Sequence, residues 1–216
     1  MHRPIILLTL LLLVPALLIA QDPPDRFFWE SLQYQYPELY GQDLPAVWLI
    51  GWGTPGKVGL VMEENTGTKI KIFDLVEDKI LFLRTFEGHR GTDVWSRQRG
   101  LIEELVRRYG LSPSDRQPTV YPFLHRGRYY QILQRAKKGP LGRVIHNYDL
   151  VLKATGLGEK ILGSFDGPWS WTYPLGILIS PLEQRIAVFV LEYPLVRGRS
   201  AAPHWRIIGA HLRVGF

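Results

Sequence analysis

From Ala46 onward the chain is written in short apolar or alternating runs, each ended by a turn signal. That rhythm leaves room for little besides antiparallel sheet. Val47-Trp48-Leu49-Ile50 is followed by the Gly- and Pro-rich stretch Gly51 to Lys57, then by Val58 to Glu63. The Asn65-Thr66-Gly67 turn, the alternating Lys69 to Leu75 and a fourth run, Lys79 to Phe86, complete the series. Connections this short join antiparallel neighbours, so 46–86 is predicted to form a four-stranded meander.

The same texture returns later. Val120 to His125 and Tyr129 to Arg135 flank a tight Arg126-Gly127 turn, with Val144 to Ala154 and Lys160 to Phe165 beyond. Leu175 to Ser180, Gln184 to Glu192 and His204 to Val214 follow. Gly176–Ser180 and Ile186–Leu191 are apolar at odd and even positions alike, which marks strands covered on both faces. Between the two sets, residues 93–110 repeat with helical period: Val94, Trp95, Leu101, Ile102, Leu105, Val106 and Tyr109 share one arc, interrupted only by Gln98. Thr92 or Asp93 can cap this helix, and Gly110 with Ser112-Pro113 stops it. The fold class is therefore mainly β, of the α+β kind. It is predicted to contain antiparallel meanders resembling propeller-blade hairpins and one amphipathic helix at 93–110 packed on the sheet.

The amino-terminal part reads differently. His2 and Arg3 precede an almost unbroken apolar run, Ile5 to Ala20, and Gln21-Asp22-Pro23-Pro24-Asp25 then changes composition abruptly. This is the layout of a signal peptide over 1–20, cleaved after Ala20. Leu18 is larger than the small residue preferred before such a site, so an uncleaved membrane anchor is the alternative. Residues 21–45 form an irregular lead-in with a short helix predicted at Phe27 to Gln35, and 46–216 one β-rich domain: the meander at 46–86, the helix at 93–110 and the second set of strands at 119–216. The expected location is extracytoplasmic, periplasmic or secreted. The 216 residues contain no cysteine, which excludes a disulfide framework, a thiolate metal site and a cysteine nucleophile.

One strand–turn–strand unit echoes another. Gly53-Thr54-Pro55-Gly56-Lys57-Val58-Gly59-Leu60-Val61-Met62-Glu63 parallels Ser180-Pro181 through Arg185-Ile186-Ala187-Val188 to Glu192. With the helix between them, these units resemble a family of predicted secreted bacterial proteins of unknown function that carry "S-P-x-x-x-R-hydrophobic-A-V" hairpins near both ends. The second unit matches that pattern, whereas the first departs from it with Thr54 and Gly59. The resemblance spans about a third of the chain and implies a secreted, β-rich protein without supplying an activity. Two such units cannot close a propeller, which needs four blades or more.

Motifs that would carry chemistry are scarce. Gly51-Trp52-Gly53-Thr54-Pro55-Gly56-Lys57-Val58 comes within one residue of a phosphate-binding loop. Val58 has no hydroxyl for a metal ion, however, and strand pattern follows where a helix should begin. Gly163-Ser164-Phe165-Asp166-Gly167 lacks the spacing of a nucleophile elbow. His204 and His211 are an odd number of residues apart, which sends them to opposite faces of one strand. Glu63-Glu64, Glu77-Asp78 and Glu103-Glu104 are adjacent pairs that diverge. No catalytic residue, cofactor or metal is assigned.

Two features suggest binding instead. Trp169, Trp171 and Tyr173 stand at i, i+2 and i+4, so an extended chain aligns them either as a stacking stripe for a sugar or partner, or as part of the core. Residues 97–143 hold 11 Lys and Arg against 3 Asp and Glu. Within them Arg126, Arg128, Arg135, Lys137 and Lys138 cluster on one predicted hairpin around Tyr129 and Tyr130. Such a surface meets an anionic envelope component, a glycan or another envelope protein, or else serves as a charged edge that resists aggregation. No nucleic-acid motif accompanies the charge. The expected function is an exported, non-enzymatic envelope interaction or structural module. The alternative is a secreted hydrolase whose site is built from distant residues. A third reading follows from Ile208, Ala210, Leu212, Val214 and Phe216, whose alternation up to the terminal Phe also suits the last strand of a small outer-membrane barrel.

Overall fold

The computed structural model describes residues 23–29, 36–39, 41–42, 44–64, 66–137, 148–165, 170–196, 199–200 and 203–216. The leader expected at 1–20 lies outside them. No described helix is long and apolar enough to cross a membrane.

Among the described residues twelve strands form three antiparallel sheets. The first is the predicted meander, β1 (Val47–Gly53), β2 (Lys57–Glu64), β3 (Gly67–Asp74) and β4 (Lys79–Phe86), in that spatial order. A second meander runs through β5 (Phe123–His125), β6 (Arg128–Ala136), β7 (Tyr148–Ala154) and β8 (Gly158–Phe165), again in chain order. In the last sheet β10 (Arg185–Val196) pairs with β9 (Ser170–Ile179) along one side, and with β11 (Arg199–Ser200) and β12 (His204–His211) along the other.

This last sheet is the centre of a stack. Leu175, Ala187, Phe189, Leu191, Trp205 and Ile207 face Val47, Leu49, Val58, Leu60 and Met62 of the first sheet. On the opposite face Ile177, Ile186, Val188, Val190, Ile208 and Ala210 meet Tyr130, Ile132, Leu150 and Leu152 of the second meander. Burial on both faces explains the continuous apolar runs that β9 and β10 carry. Each fully buried side chain of this kind contributes about 1.5–3 kcal/mol. Ile208, Ala210 and Leu212 thus spend their alternation on a core, and none of the three sheets closes on itself among the described residues.

Helices cover the outer face of the first sheet. The predicted helix is present as two pieces, α1 (Gly91–Arg97) and α2 (Arg99–Tyr109), hinged at Gln98 with φ −106° and ψ 22°. Gln98 was the one polar residue on the apolar arc. Its N–H still reaches Val94 O at 2.9 Å and its carbonyl accepts from Ile102 at 3.0 Å, so the axis kinks while the ladder continues. Val94, Trp95, Ile102 and Leu105 pack on Trp48, Ile50, Val61, Ile70 and Ile72. Neither Thr92 nor Asp93 caps α1: the start is held from across the sheet, where Glu63 Oε1 accepts the Gly91 N–H at 2.7 Å. Gly110 ends α2 in the left-handed region at φ 61°, as expected of a terminating glycine.

The lead-in corrects a second expectation. Phe27 to Trp29 are not helical, and the rest of the helix predicted to run to Gln35 lies outside the described residues. An extended chain lets Phe27 and Trp29 both turn inward while Phe28 stays 51% exposed. Trp29 stacks on Trp205 at 4.4 Å, and the Phe27 N–H donates to Val47 O at 2.8 Å. Helical geometry would send residues two apart to different sides.

Candidate functional site

The turn between β5 and β6 is the predicted one. His125 pairs with Arg128, leaving Arg126 and Gly127 as a two-residue loop with φ 49° and 76°. Both values are left-handed, as the hairpin turn that matches strand twist requires. Asn or Gly is usual at the first of these positions. An arginine there accepts backbone strain on the order of 1 kcal/mol and carries a cation to the tip.

Beside this tip lies a cleft of about 500 Å³ lined by His125, Arg126, Arg128, Tyr129, Tyr130, Thr155, Gln184 and Arg213. Four separate segments build it. Thr155, in the β7–β8 turn, donates its N–H to Tyr129 O at 3.0 Å. Gln184 precedes β10 and accepts the Leu212 N–H at 2.8 Å, while the buried Tyr130 hydroxyl donates to Leu212 O at 2.9 Å. Arg213 is fixed from its other side too. His211 Nδ1 accepts the N–H groups of Arg213 and Val214 at 3.1 and 3.2 Å. Lys160 on β8 donates to Val214 O at 2.6 Å and also to His211 O, and its Nζ sits 4.5 Å from the centre of the Phe216 ring.

The electrostatics are one-sided. Among the described residues no carboxylate lines the cleft. Among the described residues the guanidinium groups of Arg126, Arg128 and Arg213 have no ion-pair or hydrogen-bond partner. Burial, and then the Arg126 and Arg116 cations, hold the His125 imidazole below its usual range, and its Nε2 is buried without a partner among the described residues. Burial first, with Arg185 and Lys160 next, likewise lowers His211, with Glu183 opposing. Lys160 is pushed down to about 8 by burial and the nearby Arg185.

The predicted basic cluster therefore divides. Arg126 and Arg128 stand at the cleft, but Arg135 and Lys137 lie at the far end of β6 and are neutralised. Arg135 pairs with Glu159, and Lys137 with Asp149 at 3.2 Å. The Arg135 and Lys153 bonds hold Glu159 below the ordinary carboxylate range, and the Ser164 hydroxyl, followed by Lys137, does the same for Asp149. Lys138 lies outside the described residues. Of the aromatic stripe, Trp169 and the Trp171 side chain lie outside them as well. Tyr173 faces the first core, against Tyr36 at 5.1 Å and Tyr193 at 5.9 Å. Arg213, Thr155 and Gln184 carried no sequence signal, since nothing in their spacing announces that three turns meet there.

A second cleft of about 610 Å³ includes Arg26, Trp48, Glu63, Glu64 and Arg90. Its carboxylates are engaged, Glu63 at the start of α1 and Glu64 by Lys69 at 2.5 Å and by Lys71. His204 and His211 project from opposite faces of β12, and His204 reaches Glu192 at 3.0 Å. Compared with protein-family models, curated proteins and solved structures, the chain matches none.

Proposed function

We propose that this chain is an exported, non-enzymatic β module that binds an anionic component of the cell envelope through the cleft at the β5–β6 tip. One observation carries the reading: three arginines from two distant segments line one concavity with no carboxylate and no partner among the described residues. Unpaired cations grouped in this way repel one another, and a bound anion relieves that repulsion. The apolar leader at 1–20 supports the location.

Titration calorimetry of the full chain against short-chain polyphosphate tests the reading. Binding should weaken steeply with added salt and fall about tenfold or more in Arg126→Ala/Arg213→Ala. Unchanged affinity in that variant overturns the cleft assignment. Turnover of ester, glycoside or phosphate substrates that is lost on a single Ser, His or Glu substitution would replace it with the hydrolase reading.

A further inference from the structure

The anion's chemistry can be narrowed, on the footing that the cleft binds an anion at all. We infer that the cleft takes a phosphomonoester carried on a hydroxylated ring, that is, a phosphorylated saccharide. Arg126, Arg128 and Arg213 offer three planar forks. A carboxylate has two oxygens and is satisfied by one bidentate arginine. A phosphomonoester presents three terminal oxygens, one for each fork, and its close to two negative charges at neutral pH offset more of the three guanidinium cations than the single charge of a carboxylate.

A bare ion would leave most of the cleft unfilled. Its volume of about 500 Å³ falls within the roughly 300–1,000 Å³ of sites that enclose a ligand of many atoms. The remaining lining is suited to hydroxyl groups. Among the described residues neither the Thr155 hydroxyl nor the Gln184 amide has a partner, and each can both donate and accept. Tyr129, 59% exposed at the rim, presents a ring face against which a sugar can pack. Backbone bonds anchor the segments that carry these groups: the Arg213 N–H donates to His211 Nδ1, Lys160 to Val214 O, and the Thr155 N–H to Tyr129 O.

Calorimetry of the full chain with glucose 1-phosphate, inorganic phosphate, glucuronate and glucose tests the inference. Glucose 1-phosphate should bind about tenfold tighter than inorganic phosphate or glucuronate, and glucose should not bind measurably. Thr155→Val/Gln184→Leu should reduce the sugar phosphate to the affinity of inorganic phosphate while leaving the latter unchanged. Glucuronate binding as tightly as glucose 1-phosphate overturns the phosphomonoester, and inorganic phosphate doing so overturns the ring, while anion binding itself survives either result. Failure of all four ligands and of polyphosphate overturns both readings. Flotation with vesicles bearing a phosphorylated glycolipid, against its unphosphorylated form, identifies the source. Retention on the phosphorylated vesicles alone supports a lipid-borne saccharide phosphate. No retention, with solution binding intact, supports the same chemistry in a soluble or polymeric ligand.

Discussion

The two meanders share a connectivity and differ in what covers them. In the first sheet every residue of β1 is buried and β2 is buried through its middle, because α1 and α2 lie on one face and the central sheet on the other. In the second, β6 is exposed at Arg135, Gln131 and Tyr129 while Tyr130 and Ile132 are buried against the central sheet. The first sheet is left with its edge strand β4 and a cleft whose carboxylates are already engaged. The second meander leaves Tyr129, Gln131, Arg135 and Ile161 exposed on its other face, and Arg126 and Arg128 stand at its tip without a partner among the described residues.

Core truncations should separate the two most strongly. Trp52 is fully buried, so Trp52→Ala should cost about 3–5 kcal/mol in chemical denaturation. Ile161→Ala, at a position 58% exposed on the outer face of the second meander, should stay within about 0.5 kcal/mol. A large loss at Ile161 would show that this face is covered in solution.

Next in size is the joint between the first and central sheets. A Cβ on Gly209 would lie 2.2 Å from Leu75 O. Gly209→Ala should therefore cost about 1–3 kcal/mol as the backbones are forced apart. The same change at Gly127, with open space around it, should be felt only through its left-handed backbone angle, and a larger loss there than at Gly209 would contradict the stacking.

The acid response should also arise in the first sheet. Burial alone would raise the Glu64 carboxyl, but the bonds from Lys69 and Lys71 outweigh it and hold the group below its ordinary 4.5. A carboxyl depressed in the folded state stabilises the fold above its unfolded value, and that contribution is lost as the pH falls through the folded one. Glu64→Gln should destabilise the protein at neutral pH, leaving Lys71 unpaired, and should flatten the stability profile below about pH 4.5. An unaltered acid profile would move the effect elsewhere. The smallest change is expected at Arg135→Ala, whose ion pair with Glu159 is exposed and screened by solvent, so that chemical denaturation should not separate the variant from wild type. Affinity for polyphosphate should stay within twofold of wild type, in contrast to Arg126→Ala/Arg213→Ala.

Much of this was legible from local pattern. The strand runs, the Arg126-Gly127 turn and the doubly apolar β9 and β10 follow from period and turn chemistry that act within a few residues, whereas the turn expected over Gly51 to Lys57 shrinks to Thr54 to Gly56 because Gly51 to Gly53 extend β1. Trp52 shows the limit. Strict alternation places it with Trp48 and Ile50 under the helices, yet a bulge between Leu49 and Gly51 turns it into the opposite core. Beside the bulge Trp52 exchanges hydrogen bonds with Ser112 at 2.9 and 2.6 Å, and a Cβ on Gly51 would lie 2.4 Å from Ser112 O, contacts that join segments far apart in the sequence.

By itself, then, the amino-acid sequence determined the antiparallel β class, the buried strands, the helical segment and the concentration of positive charge in the middle of the chain. Those properties depend on backbone propensity and on hydrophobic periodicity, which are local. Only the tertiary structure decided which cations are free. Arg135 meets Glu159 from 24 residues away, whereas Arg126 and Arg128 share a cleft with Arg213 and, among the described residues, no acid. Charge pairing depends on distance in space, and that distance is set by how the three sheets stack.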